Sequence, residues 1–198
     1  LDGDVGMATV GPPGVVGLTL VRDVDTMAER AMPDRSWFVG STTPAGALLP
    51  LVLGHARLMA LARHEPLPVV VNTCGLVSGG LGKELQLAVV DAVEPTIVAG
   101  LGEGGEIEHL LRPLAARGIE VIRIPRSPRA REKPRSERAS VRAERFARAF
   151  AEAPVHAIDT AGVVLEGTLL GSGRPLAEAA RREIERGLDT HVIEAEEA

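Results

Sequence analysis

Residues 69–90, VVVNTCGLVSGGLGKELQLAVV, constrain the fold more than any other stretch of the chain. Val69, Val70 and Val71 follow Pro66 and Pro68 and form a short β-branched run, as expected of a strand covered on both faces of a parallel sheet. Residues 72–82 then contain four glycines and two small hydroxyl residues, so the backbone can turn sharply and approach a ligand closely. From Lys83, the residues Leu85, Leu87, Ala88, Val89, Ala92 and Val93 fit a helix that buries a broad face and stops before Pro95. Ligands of open α/β sheets sit beyond the carboxyl ends of the strands, which makes this loop a candidate site. It is not a phosphate-binding P-loop. That pattern needs Gly, four residues, then Gly-Lys-Ser/Thr; here Val77 holds the first glycine position and Glu84 follows Lys83. No other stretch supplies the motif, so the main triphosphate cradle is missing from these residues.

The 198 residues suffice for one good-sized domain, or a domain with a small appendage, and a hydrophobic fraction of 45% is enough for a core. Trp37, Phe38, Phe146 and Phe150 are the only aromatics, so the core must rest on Leu, Val, Ile and Ala. A formal charge of -5 argues against wholesale electrostatic binding to nucleic acid, although basic residues cluster between Arg123 and Arg148. The single cysteine, Cys74, excludes an internal disulfide and suits a reducing compartment. The five histidines are scattered, which gives no zinc site. With no long apolar run and no signal-peptide pattern, the default is a soluble intracellular (cytoplasmic) protein with no membrane partner.

The chain opens with LDGDVGMATVGPPG, in which Asp2 and Asp4 alternate. In a strand, period-two spacing puts both carboxylates on one side, a usual arrangement for holding Mg²⁺ or its waters beside a nucleotide. Asp2-Gly3 is equally a common turn dipeptide of a surface hairpin, and spacing alone leaves both readings open. Strands are expected at 15–21 and 36–39, followed by the Ser/Thr-rich loop GSTTPAG and a helix over 48–63. Such a loop can present hydroxyls and N–H groups to phosphate, or simply cap the helix. Strands at 96–101 and 119–124 flank a helix over 106–117 closed by Gly118. This alternation predicts a parallel, doubly wound α/β sheet.

Residues 126–148 carry eight arginines, and from Arg135 onward steps of three and four place Arg138, Arg142 and Arg145 along one helical face. Phe146 and Phe150 form an i,i+4 apolar pair. The row reads either as a solvated face balanced by Glu137 and Glu144, or as side chains that close over phosphates. Beyond Pro154 a small, separate α+β unit is expected: strands at 155–159 and 163–169 around Thr160-Ala161-Gly162, then Gly171-Ser172-Gly173, a helix over 175–186 and a last strand at 190–194.

Taken in order, these pieces resemble the P-loop polynucleotide 5′-hydroxyl kinase family, which includes RNA kinases of pre-mRNA cleavage and ribosomal RNA processing and archaeal and bacterial relatives. LDGDVGMATVGPPG resembles the family's Walker B region, D-x-D-x-G-Q followed by a Gly/Pro turn, with Met7 in place of Gln. SWFVGSTTPAGALL resembles the strand and loop that clasp RNA, VNTCGLVSGGLGKEL the N-T-x-G-x-V-x-G segment, and the arginine stretch ending ERFARAF the mobile lid. Leu76 stands where some members carry a base-stacking tryptophan. The resemblance covers residues 1 to about 150 and, more weakly, 163–194.

The resemblance implies a P-loop NTPase-like α/β domain over 1–150, truncated before the Walker A loop, with helices on both faces of a mainly parallel sheet, and a small α+β unit over 151–198. It implies transfer of the γ-phosphate of ATP, with Mg²⁺, to the 5′-hydroxyl of RNA or DNA, and partners in RNA processing. By position, Asp4, supported by Asp2, would help place Mg²⁺ or act as base. Thr43 would contact the substrate phosphate, Asn72, Thr73 and Gly75 would line the substrate side, and Arg138, Arg142 and Arg145 are the lid arginines. The rival reading is a non-catalytic nucleotide-binding scaffold, motivated by Met7; an ATPase of another P-loop branch is a third. Because the triphosphate cradle is missing, residues 1–198 alone are expected to bind ATP poorly, and micromolar binding by calorimetry would contradict this.

Overall fold

The structure, a computed structural model, describes residues 1–22, 32–131, 133–157, 174–188 and 196–197. The chain divides into two compact units, Leu1–Ala153 and Pro154–Ala198. The first contains β1 (Val15–Leu18), β2 (Arg35–Phe38), α1 (Leu48–Ala62), α2 (Gly79–Val93), β3 (Ile97–Gly102), α3 (Glu108–Ala116), β4 (Glu120–Pro125) and α4 (Arg135–Phe150). The second contains β5 (Arg174–Pro175), α5 (Glu178–Leu188) and β6 (Glu196–Glu197), with β5 and β6 antiparallel. The strands expected at 163–169 and 190–194, the turn at 160–162 and Gly171-Ser172-Gly173 lie outside the described residues. Residues 155–157 are described and form no strand.

The main core gathers Val5, Val16, Val39, Leu51, Leu58, Cys74, Leu85, Val89 and Val93. β1 and β2 pair antiparallel, Val16 opposite Trp37, and α1 lies across them. Of the wide apolar surface read from α1, the stripe Leu51, Gly54, His55, Leu58 and Ala62 is buried, while Leu49, Leu53 and Leu61 stay exposed. Gly54 makes the close approach possible, since a Cβ there would lie 2.7 Å from Trp37 Cδ1 and 3.1 Å from Val16 Cγ2.

α2 begins at Gly79, four residues before the expected start, because the glycines of the loop enter its first turn. Gly82 sits so close to the preceding loop that a Cβ would meet the Val77 carbonyl carbon at 2.7 Å. The helix ends at Glu94, which adopts the left-handed conformation (φ 46°) and donates its N–H to Val90 O at 2.8 Å. β3 and β4 pair parallel, Ile97 opposite Glu120 through Gly102 opposite Pro125. α3 packs on one face of this pair, where Gly100 leaves room for Leu111 and Ile107. Ile97, Leu101, Ile122 and Ile124, which alternate with the packed positions, remain exposed.

The valine run differs most from expectation. It is not a strand covered on both faces: Val70 is 82% exposed, and only Asn72 forms a bridge, parallel to Asp2. Among the described residues the run is hydrogen-bonded by a single neighbour, the opening segment, through Leu1 N to Val70 O (2.7 Å), Asn72 N to Leu1 O (2.9 Å) and Gly3 N to Asn72 O (2.8 Å). Among the described residues, parallel pairing is confined to this ladder and to β3–β4.

In an exposed helix, Gly→Ala gains about 1 kcal/mol. At Gly54 the new methyl collides with the half-buried indole of Trp37, and overpacking costs about 1–3 kcal/mol. Gly54→Ala is therefore expected to lower the urea midpoint of unfolding, and a raised midpoint would refute this packing.

Candidate active site

The site starts from the opening segment, which is held on both sides. Asp2 exchanges backbone hydrogen bonds with Gly17 (2.7 and 2.9 Å) on one side, while Leu1 and Gly3 bond the 70–72 segment on the other. Gly3 can only be glycine here, because a Cβ would fall 2.0 Å from His55 Nε2. His55 is fully buried beneath it, with Nδ1 bonded to Leu51 O at 2.8 Å; burial pushes its imidazole pKa down, keeping the ring neutral. Beyond Gly3 the chain turns, and the turn is fixed by Gly14 N to Val5 O (2.8 Å), while Val39 N donates to Gly14 O (2.9 Å). The strand end bearing Asp4 is thereby joined to the end of β2 and the loop after it.

The two carboxylates come together with different surroundings. Asp2 Oδ1 accepts from Asp4 N (3.2 Å) and Asn72 Nδ2 (2.9 Å), and its Oδ2 from Thr9 N (2.6 Å). Both oxygens are therefore committed to holding the loop. Asp4 Oδ1 accepts from Gly6 N (3.1 Å) and Met7 N (3.0 Å), while its Oδ2 has no hydrogen-bond partner among the described residues. Burial pushes the Asp4 carboxyl above the usual carboxylate range; the N–H donors of Met7 and Gly6 oppose this, the Asp2 charge adds to it, and the Arg145 guanidinium draws it back. Met7 contributes its backbone whatever its side chain.

Among the three arginines on one face of α4, all half-buried, Arg145 is the one whose charge acts on Asp4. Its Nη1 is buried without a hydrogen-bond partner among the described residues, a costly state for a cationic donor unless an anion completes it. Arg138 and Arg142 form no ion pair among the described residues. At the amino end of α4 the Arg131–Glu137 pair (2.7 and 2.8 Å) ties down the approach, and Phe146 and Phe150 stack with centroids 6.4 Å apart.

The substrate-side residues are distributed unevenly. Asn72 is tied to Asp2, Thr73 is half-buried, and Gly75 is exposed with open space where a Cβ would be. Thr43 is exposed in the loop before α1, its N–H accepted by Ser41 Oγ (3.2 Å), and Thr42 O lies against Gly6, where a Cβ would meet it at 2.8 Å. Thr43 itself contacts neither carboxylate. His55 and Gln86, unnoticed in the sequence, are the buried polar side chains among the described residues; each interrupts an apolar helical stripe, and that interruption was the available signal. Cys74, buried behind the loop, has its thiol pKa pushed up by burial and is no reactive thiolate.

A separate cavity of about 260 Å³ opens at the carboxyl ends of β3 and β4, lined by Gly100, Gly102, Ile107, Leu111, Arg123 and Pro125 among others. None of the residues selected from the sequence lines it. Arg123 is engaged there by Glu108 (2.6 and 3.0 Å), which lowers the Glu108 pKa. Among the described residues no three or more His, Cys, Asp or Glu side chains converge as a metal site, and no helix is long and apolar enough to cross a membrane.

Mixed helices and strands with parallel pairing make this an α/β protein, with Asp4 at the end of its opening extended segment. Residues 1–152 match the family model described as mRNA cleavage and polyadenylation factor CLP1 P-loop, and the chain belongs to that family. It is 28% identical over 188 residues to a polyribonucleotide 5′-hydroxyl-kinase of Pyrococcus horikoshii, covering 94% of this chain and 50% of the relative. The corresponding protein of Methanocaldococcus jannaschii is 28% identical over 178 residues, 90% of this chain and 49% of the relative. A CLP1 homolog of Culex quinquefasciatus is 28% identical over 160 residues, 76% of this chain and 37% of the relative. The chain spans about half the length of the archaeal relatives it matches.

The raised Asp4 pKa has a stability consequence whose sign follows from linkage. The folded state favours the protonated carboxyl, so this contribution is fully present below the unfolded value of 3.8 and is lost as pH rises through the folded one. Asp4→Asn keeps an acceptor for Gly6 and Met7 but removes the buried charge. It is expected to raise Tm at pH 7 and to change it less in acid, below both pKa values; a Tm lowered at pH 7 would contradict this account.

Proposed function

We propose that this chain forms the carboxylate, acceptor and lid portions of an ATP- and Mg²⁺-dependent polyribonucleotide 5′-hydroxyl kinase working in RNA processing inside the cell. In this reading residues 1–150 belong to a P-loop NTPase-like domain with helices on both faces of a mainly parallel sheet, and residues 151–198 form a small α+β unit. The 5′-oxygen of the acceptor bonds to the γ-phosphorus as the bond to the β,γ-bridging oxygen breaks, and ADP leaves. Such transfers are driven by positioning and charge stabilisation.

The observation that carries the reading is that Asp4, with one oxygen uncommitted among the described residues, lies within electrostatic range of Arg145, whose Nη1 is a buried donor with no acceptor among the described residues. A phosphoryl group between them would complete Arg145. Asp4 Oδ2 would hold Mg²⁺, directly or through water, or take the proton from the attacking hydroxyl; Mg²⁺ commonly uses one or two carboxylates plus phosphates. Asp2 acts through Asp4, as an orienting group. Arg138 and Arg142 flank Arg145 on the same face, and Thr43, Asn72, Thr73 and Gly75 form the acceptor side. The relatives named polyribonucleotide 5′-hydroxyl-kinases support RNA as acceptor. The CLP1 homologs support a setting in a processing assembly.

Met7 favours a second reading, a nucleotide-binding scaffold, since it puts no polar side-chain group beside Asp4. The test is transfer of labelled γ-phosphate to 5′-hydroxyl RNA and DNA oligonucleotides by the complete protein containing this chain. Transfer is expected, falling about 10²-fold or more in Arg145→Ala as expected for a lost charge-stabilising donor. Absence of transfer with ATP bound, unrelieved by Met7→Gln, would overturn the kinase in favour of the scaffold.

A further inference from the structure

Gln86 lies on the inward side of α2 with Leu85, Val89 and Val93. Its amide nitrogen donates both hydrogens to the loop ahead of the helix, to Cys74 O and Leu76 O, each at 3.0 Å. From α3, His109 Nε2 bonds the next carbonyl, Val77 O, at 2.8 Å. Three carbonyls of four consecutive residues are thus held from the helix side. At the other end of the loop Asn72 is bonded to Asp2 by side chain and to Leu1 and Gly3 by backbone. Thr73 lies between these two anchorages and Gly75 within the second, between the held carbonyls of Cys74 and Leu76, and the space beside Gly75 is open.

We propose that Gln86, assisted by His109, is the positioning residue of the acceptor side: it sets the Thr73–Gly75 backbone relative to Asp4 and so controls binding of the acceptor strand. The identity of that strand, single-stranded RNA with a 5′-hydroxyl, rests on the kinase reading above. Nothing in the arrangement ties Gln86 to the ATP side, so its effect should fall on one substrate only.

The experiment compares the complete protein with its Gln86→Met and His109→Ala variants. Methionine fills the same volume without donors, and His109 is exposed, so the second variant carries little folding risk. Three quantities are read: hydrogen exchange of residues 73–77, Kd for a short 5′-hydroxyl oligoribonucleotide, and KM for each substrate. In Gln86→Met we expect faster loop exchange and about a tenfold or greater rise in acceptor Kd and KM, the scale of effect that small misplacement produces. The KM for ATP should not move. His109→Ala should shift the same acceptor values less. A folded Gln86→Met variant with unchanged acceptor Kd, or with both KM values raised together, overturns the proposal. If Gln86→Met fails to fold, an unchanged acceptor Kd in His109→Ala overturns it. If the wild-type protein transfers no phosphate, the kinase reading fails, and oligonucleotide Kd decides this proposal separately; wild-type protein that binds no oligonucleotide overturns both.

Discussion

The structure depends on the opening segment, Leu1 to Asp4, bonded on one side to Gly17 and on the other to Val70 and Asn72. This double pairing joins the β1–β2 hairpin to the loop before α2, which belong to distant parts of the chain. It works only because Gly3 has no side chain, so that the buried His55 of α1 can lie directly against the backbone. Val5, at the end of the same segment, has no exposed surface and anchors the turn in the core. A strand end held this firmly can carry a functional carboxylate without letting it wander.

The division of labour between Asp2 and Asp4 follows from how many donors each meets. Asp2 spends both oxygens on Asp4 N, Asn72 and Thr9, and serves as an internal tie. Asp4 is bonded through one oxygen and presents the other, at the cost of a buried charge that its surroundings only partly compensate. Destabilised ionised groups of this kind concentrate where chemistry is done. The same holds for Arg145, whose partly buried guanidinium lacks a full set of acceptors. Arg138 and Arg142 share its stripe on α4, and of the three it is the Arg145 charge that lowers the Asp4 pKa.

Periodicity made much of this legible. The helices at Leu48–Ala62, Glu108–Ala116 and Arg135–Phe150 lie where apolar and charged spacing predicts them, and Gly118 ends the second of these as expected, with φ +83°. Asp2 and Asp4 are neighbours, with Asp4 N donating to Asp2 Oδ1, and Arg138, Arg142 and Arg145 share one helix as their steps of three and four predict. The valine triplet misled, because β-branched residues report extended backbone and say nothing of how many neighbours will cover it. Val70, with one hydrogen-bonded neighbour, stays exposed. Gln86 and His55 were passed over because a polar residue in an apolar stripe has meaning only once its partner is known.

By itself, the sequence determined where the helices lie, the alternation of strand and helix over residues 97–150, the lack of a triphosphate cradle in these residues and the motif order that marks the family. Those properties reside in neighbouring residues, through side-chain period, backbone propensity and the glycines that permit tight turns. Only the tertiary structure decided that Asp2 is a tie, that Asp4 keeps one oxygen without a partner among the described residues, that the Arg145 charge acts on Asp4, and that Gln86 holds the loop from behind. The ties of Asp2 to Asn72 (70 apart) and of Gln86 to Leu76 (10 apart) depend on which donors and acceptors meet across the chain, whereas Asp4 accepts from Gly6 and Met7, only two and three residues on. Burial then sets their energies, and burial is a property of the packed chain.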